Sequence, residues 1–198
     1  MAAAVKVRFA AALCCAALAL TGCGTDVAKR AETTTVTAAV QADGEFNDTD
    51  VMYLQMMVAH HEQGLAMVRL AEKKARRAEI RTLAEAVDVT QTDEVKLITS
   101  WLTSWSKPTT VVHAPSAHAG HGGLPATGPQ EMAALTNAKG AKFETAFLNL
   151  FLAHQHNAVE MAAMEAKGGA NAEAKAFAER VKASRTDQIK QMLQMLNA

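Results

Sequence analysis

Met57, His60, His61, Gly64 and Met67 follow one another at offsets of three, four, seven and ten residues from the first. On a helix they share a sector of roughly 120°. That sector also carries Leu54, Val68 and Ala71, so two imidazoles stand where packing alone would place leucine or isoleucine. An imidazole buried among apolar side chains needs a partner, and a metal ion can be one. The pattern returns 94 residues later as His154, Ala158 and Met161, with Met164 one turn further on and His156 facing elsewhere. Thioether and imidazole donors without a thiolate suit copper, Cu(I) above all. Met57, His60, His61, Met67, His154 and Met161 are therefore the candidate metal ligands, with His156 and Met164 as additional ones. A second reading of the same residues stays open. Methionine at helical spacing is also ordinary core filling, and the histidines can close a hydrogen-bond network inside the core.

Three further histidines, His113, His118 and His121, stand among glycine, alanine and proline. Such a tract can form a second, solvent-accessible site for Cu(II) or Zn(II), although nothing between its histidines fixes their geometry. Catalytic patterns are lacking. A di-metal carboxylate bundle needs Glu-x-x-His pairs, yet Met57, Val58, Phe151 and Ala153 occupy the positions three before His60, His61, His154 and His156. Neither a phosphate loop nor a zincin helix is present. The sequence predicts a binding protein and no enzyme.

The elements that must hold these residues show as an internal repeat. Shifted by 94 residues, LQMMVAHHEQGLAM (54–67) lies over LNLFLAHQHNAVEM (148–161), and EIRTLAEAVDVTQTDEVKLITSWL (79–102) over EAKAFAERVKASRTDQIKQMLQML (173–196). One register over two segments predicts two helical hairpins. Apolar residues at spacings of three and four predict helices over 50–74, 79–105 and 142–166, and a fourth from an Asn171 cap to Leu196. Gly168 and Gly169 end the third, and Asn47, Asp48 and Thr49 offer caps for the first. Two such hairpins bury their apolar faces against each other, so an all-α, ferritin-like four-helix bundle is expected over 46–198. Its repeats would be 46–105 and 141–198, joined by a His/Pro/Gly crossover loop at 106–140. All four prolines lie in that loop, where Pro129 can open a short helix closed by Gly140. Trp101 and Trp105 are expected to cover one end of the core. The charges of KKARRAE, Arg180, Lys182 and Arg185 read as solvated helix faces.

The chain of 198 residues balances 20 Lys+Arg against 20 Asp+Glu, which argues against nucleic acid as a partner. All three cysteines, Cys14, Cys15 and Cys23, lie near the start. Lys6 and Arg8 precede an apolar run from Phe9 to Leu20 that fits an export signal, and Leu20-Thr21-Gly22-Cys23 resembles a bacterial lipobox. Residues 1–22 are thus expected to be a lipoprotein signal peptide, with Cys23 lipidated and anchoring the protein to the cell membrane, outside the cytoplasm. Residues 23–45, polar and rich in threonine and alanine, would form a flexible tether. The mature chain would hold no free thiol.

Asp50-Val51, Met57-Val58-Ala59-His60-His61-Glu62-Gln63-Gly64-Leu65-Ala66-Met67, and the later Glu94 to Trp101-Leu102 together resemble the bacterial domain-of-unknown-function 305 family. A second copy of its hallmark stands at Phe143-Glu144, Phe147-Leu148 and His154 to Met161. The resemblance covers about 46–198. It implies an exported, ferritin-like helical bundle, and for some members copper binding and copper resistance, with no common enzymatic activity. Phe151 stands where the family has methionine, Gln155 where it has the second histidine, and Gly64 where alanine is usual. The expectation is a cell-envelope copper-binding lipoprotein, a buffer or chaperone that meets a copper-handling partner protein. The alternative is a structural or interaction module whose histidines serve the core.

Overall fold

A computed structural model describes residues 41–110 and 127–198. The proposed signal peptide, Cys23, most of the tether and the three loop histidines lie outside the described residues. The described chain is helical throughout: α1 (Asp48–Lys74), α2 (Ala78–Ser104), α3 (Pro129–Asn137), α4 (Ala141–Gly168) and α5 (Ala172–Asn197). Among the described residues no helix is long and apolar enough to cross a membrane.

Helix ends follow local chemistry. Asn47 opens α1 with a capping box: its side chain accepts from the Thr49 and Asp50 backbone N–H groups at 2.9 and 3.1 Å, and the Asp50 carboxylate accepts from the Asn47 N–H at 2.6 Å. Asn171 caps α5 by accepting from the N–H groups of Glu173 and Ala174. Pro129, whose missing N–H is harmless in a first turn, starts α3. Gly140, with φ of 55°, takes a left-handed conformation just before α4.

α1 pairs with α2 and α4 with α5, and the two hairpins meet mainly where α1 packs on α4. Among the described residues the four expected long helices are joined by α3, the short helix that Pro129 opens in the crossover. The ordered domain also begins earlier than Phe46. Ala42 is buried and its carbonyl accepts from Trp105 Nε1 at 2.8 Å, Phe46 stacks on Trp105 at 4.3 Å, and the Asn171 amide donates to the carbonyls of Asp43 and Glu45. Trp101 is fully buried beneath this strap.

Each hairpin also clamps the other. Asp50, at the start of α1, accepts from the backbone N–H groups of Ala170 and Asn171 in the α4–α5 turn. Glu144, its counterpart in the 94-residue register, accepts from those of Arg76 and Arg77 in the α1–α2 turn at 2.6 and 2.9 Å. Both carboxylates are buried. Asp50 is further crowded by Glu165, which burial, and then the neighbouring Asp50, push up to about 8. Burial acts against ionisation of Asp50 too, but Glu165 and the turn's N–H groups outweigh it and hold its pKa below the usual range. Glu165 therefore keeps its proton at neutral pH. A carboxyl whose folded pKa lies above its unfolded value stabilises fully below the unfolded value, and that stability declines as pH rises through the folded one. The contribution of Glu165 to stability is thus expected to fall between about pH 4.5 and 8, by up to about 1.4 kcal/mol per pH unit. It is read as the difference between wild type and Glu165→Gln, because the buried imidazoles of His60, His61 and His154 contribute with the opposite sign below the ordinary histidine value. Urea titrations across that range on wild type and Glu165→Gln check this; an unchanged slope in the variant would remove Glu165 as the cause.

Candidate metal centre

The core is two apolar clusters with a polar layer between them. One cluster holds Met67, Val68, Ile80, Phe143, Phe147, Phe151 and Met192. The other holds Tyr53, Leu54, Met57, Ile98, Trp101, Met161 and Phe177. At the level between them every long helix turns a polar residue inward: His60 and His61 from α1, Gln91 and Glu94 from α2, His154 and Gln155 from α4, Arg185 and Gln188 from α5. Helical periodicity makes this possible, because these positions continue the apolar stripe of each helix.

His60 and His154 meet across the α1–α4 contact with rings stacked at 3.6 Å and 13°. His60 Nε2 lies 3.0 Å from the His154 carbonyl oxygen. The His61 ring centre is 6.2 Å from that of His60, and His61 Nε2 is 2.7 Å from Glu94 Oε2. Burial is the main force on all three imidazoles and drives their pKa values down. His60 falls well below the ordinary value with help from His154 and His61, His154 falls to about 3, and His61 falls despite the opposing pull of Glu94. At neutral pH the three are uncharged, the state in which imidazole ligates metals.

Each ring keeps a buried nitrogen without a hydrogen-bond partner: Nδ1 of His60, Nδ1 of His61 and Nε2 of His154. The Gln91 amide beside them is likewise unpartnered. Gly64 makes this room. A Cβ there would stand 2.5 Å from Gln91 Oε1 and 2.9 Å from His154 Nε2. Buried polar atoms left unpaired destabilise a fold by about 1–3 kcal/mol each, so a ligand that engages them is favoured. Among the described residues no group of three His, Cys, Asp or Glu side chains is placed to hold a metal ion. Imidazole and thioether donors together would fit a soft ion.

The structure brings His60, His61 and His154 together and distributes the methionines around them. Met57 and Met161 lie in one apolar cluster and Met67 in the other. Met164 is half-buried and His156 is exposed, so neither joins the layer. In the second hairpin Phe151 stacks on His154 at 5.6 Å, extending a column through Phe147 and Phe143. Gln155 hydrogen-bonds Gln188, the register counterpart of the His61–Glu94 pair.

One sequence reading is corrected here. Arg185 is not on a solvated face: it is fully buried, and its guanidinium is paired with Glu94 and donates to Ser184 Oγ at 3.0 Å. Burial presses the Glu94 pKa up, but His61 and Arg185 overcome it and the net shift is downward, leaving a carboxylate. Sequence reasoning missed Gln91, Glu94, Arg185 and Gln188. The available signal was the 94-residue register, which pairs Gln91 with Arg185 and Glu94 with Gln188, together with the spacing of Arg185 from the apolar Val181 and Ile189.

A family model described as a domain of unknown function (DUF305) matches residues 50–196. Among solved structures, a DUF305 protein from Streptomyces coelicolor, described as secreted, is similar at 25% identity and a TM-score of 0.70, over 75% of this chain and 92% of that one. A DUF305 fragment from Deinococcus radiodurans is similar at 21% identity and 0.68, over 78% and 99%. CopM in its Cu(I)-bound form is similar at 23% identity and 0.61, over 75% and 95%. No curated protein matches the sequence.

Proposed function

The chain belongs to the DUF305 family, and from that premise we propose that it binds copper in the cell envelope, as a buffer or chaperone and not as a catalyst. The observation that carries this reading is the buried layer of three neutral imidazoles, each with an unpartnered ring nitrogen, bordered by methionines. Met57, His60, His61, Met67, His154 and Met161 form the pool from which the ligands come. When bound, a Cu(I) ion would be held by thioether and imidazole donors and shielded from water by the clusters above and below. CopM, similar in fold, has been solved with Cu(I), Cu(II) and Ag bound, which supports the reading. The S. coelicolor neighbour supports export. Cys23 is the proposed lipid attachment point and a copper-handling protein the proposed partner. His113, His118 and His121 are a proposed second, outer site.

A second reading draws on the Arg185–Glu94–His61 and Gln155–Gln188 contacts, which make the layer a polar network that fixes helix register. A competition titration separates the two. On the copper reading the full chain withdraws Cu(I) from a coloured chelator in a saturable manner. On the network reading the chelator keeps its metal throughout.

A further inference from the structure

We propose that Arg185 makes the histidine layer selective for soft monovalent ions, by occupying the carboxylate within it and cancelling the negative charge that would favour divalent ones. This rests on the copper reading above and adds to it which ions the site refuses.

Glu94 supplies the layer's carboxylate, and an unengaged carboxylate beside histidines would make a good divalent site. Here its Oε2 is held by both His61 Nε2 and the Arg185 guanidinium. Arg185 reaches it from the other hairpin, where the repeat register puts neutral Gln91 in the first half. The guanidinium is fully buried against the carboxylate, and a guanidinium is a permanent cation, so the pair brings no net charge to the layer. A monovalent ion then adds one buried charge and a divalent ion two. The desolvation penalty grows faster than in proportion to charge, and with the carboxylate neutralised by the guanidinium no net fixed charge offsets it. The side chain is already fully packed and offers no acceptor, so it cannot turn into a ligand itself.

The test follows thermal unfolding of the full chain with Ag(I), an air-stable monovalent probe, and with Zn(II), using His60→Ala/His61→Ala as the control that assigns a response to the layer. Wild type should gain stability with Ag(I) and not with Zn(II). Arg185→Gln, with its helical signal intact, should gain a Zn(II) response on the order of tenfold or more tighter than wild type. Arg185→Lys keeps the charge and should behave as wild type, and adding Glu94→Gln to Arg185→Gln should remove the gained zinc response. No gain in Arg185→Gln, or the same gain in Arg185→Lys, overturns the proposal. Should Arg185→Gln fail to fold, wild type decides alone: a layer-dependent Zn(II) response equal to that of Ag(I) overturns the selectivity and leaves the copper reading standing. Wild type responding to neither ion removes the copper reading, and the selectivity with it.

Discussion

Replacing His60 and His61 together with alanine is expected to abolish Cu(I) capture, weakening it by on the order of a hundredfold or more. Loss of supporting groups around a metal alone lowers affinity by roughly 10–100-fold, and here two donors go at once. The variant should stay helical, because both positions lie inside the long helix α1 and alanine favours that state. Its stability should fall by only about 1–3 kcal/mol, through the cavity and the loss of the imidazole beside Glu94. Removal of two unpartnered ring nitrogens offsets part of that loss. Chelator competition and urea unfolding, with and without Cu(I), check both halves. If instead the variant retains wild-type capture, the layer is not the site. Affinity in wild type should also fall less steeply as pH drops below neutral than it would for exposed histidines, because burial moves the three imidazoles below the ordinary range and weakens proton competition.

The second large effect is expected at Asp50. Alanine there removes half of a capping box and leaves the N–H groups of Ala170 and Asn171 without their acceptor. A lost cap destabilises by about 0.5–2 kcal/mol and the stranded N–H of buried Asn171 by about 1–3, whereas that of exposed Ala170 can turn to water. Loss of the Asp50 charge also relieves Glu165, which returns a part. The net expectation is about 3–4 kcal/mol, a fall in melting temperature of roughly 10 °C for a domain of this size. Glu144→Ala strands the N–H groups of Arg76 and Arg77 but touches no capping box, so it should fall by less. Thermal and urea unfolding of both variants measure this, and an Asp50→Ala loss below about 1 kcal/mol would contradict the clamp.

Much of the fold was legible because its signals are local and periodic. The 94-residue register, the Asn47 and Asn171 caps, Pro129 at the start of α3 and the glycines after α4 each act within a few residues. The histidines were legible as intruders in an apolar stripe. What escaped was polarity that looks ordinary on a surface helix. Glu94 and Arg185 sit among other acids and bases in sequence, and only the folded arrangement of the two hairpins buries Arg185 against Glu94. Asp50, Glu144 and Glu165 escaped for the same reason: each is a common helix residue, and their burial depends on turns contributed by distant segments.

The crossed clamps at Asp50 and Glu144 carry a consequence for the independence of the halves. Each acidic residue grips a turn that its own half does not contain, and the two grips are equivalent under the repeat. A single hairpin could satisfy its own clamp only by pairing with a copy of itself. The present chain thus has the form of a symmetric pair of hairpins made continuous, with α3 in the connection. The two halves differ at this level: one holds His61 and Glu94 where the other holds Gln155 and Gln188, and the second supplies Arg185 to the first.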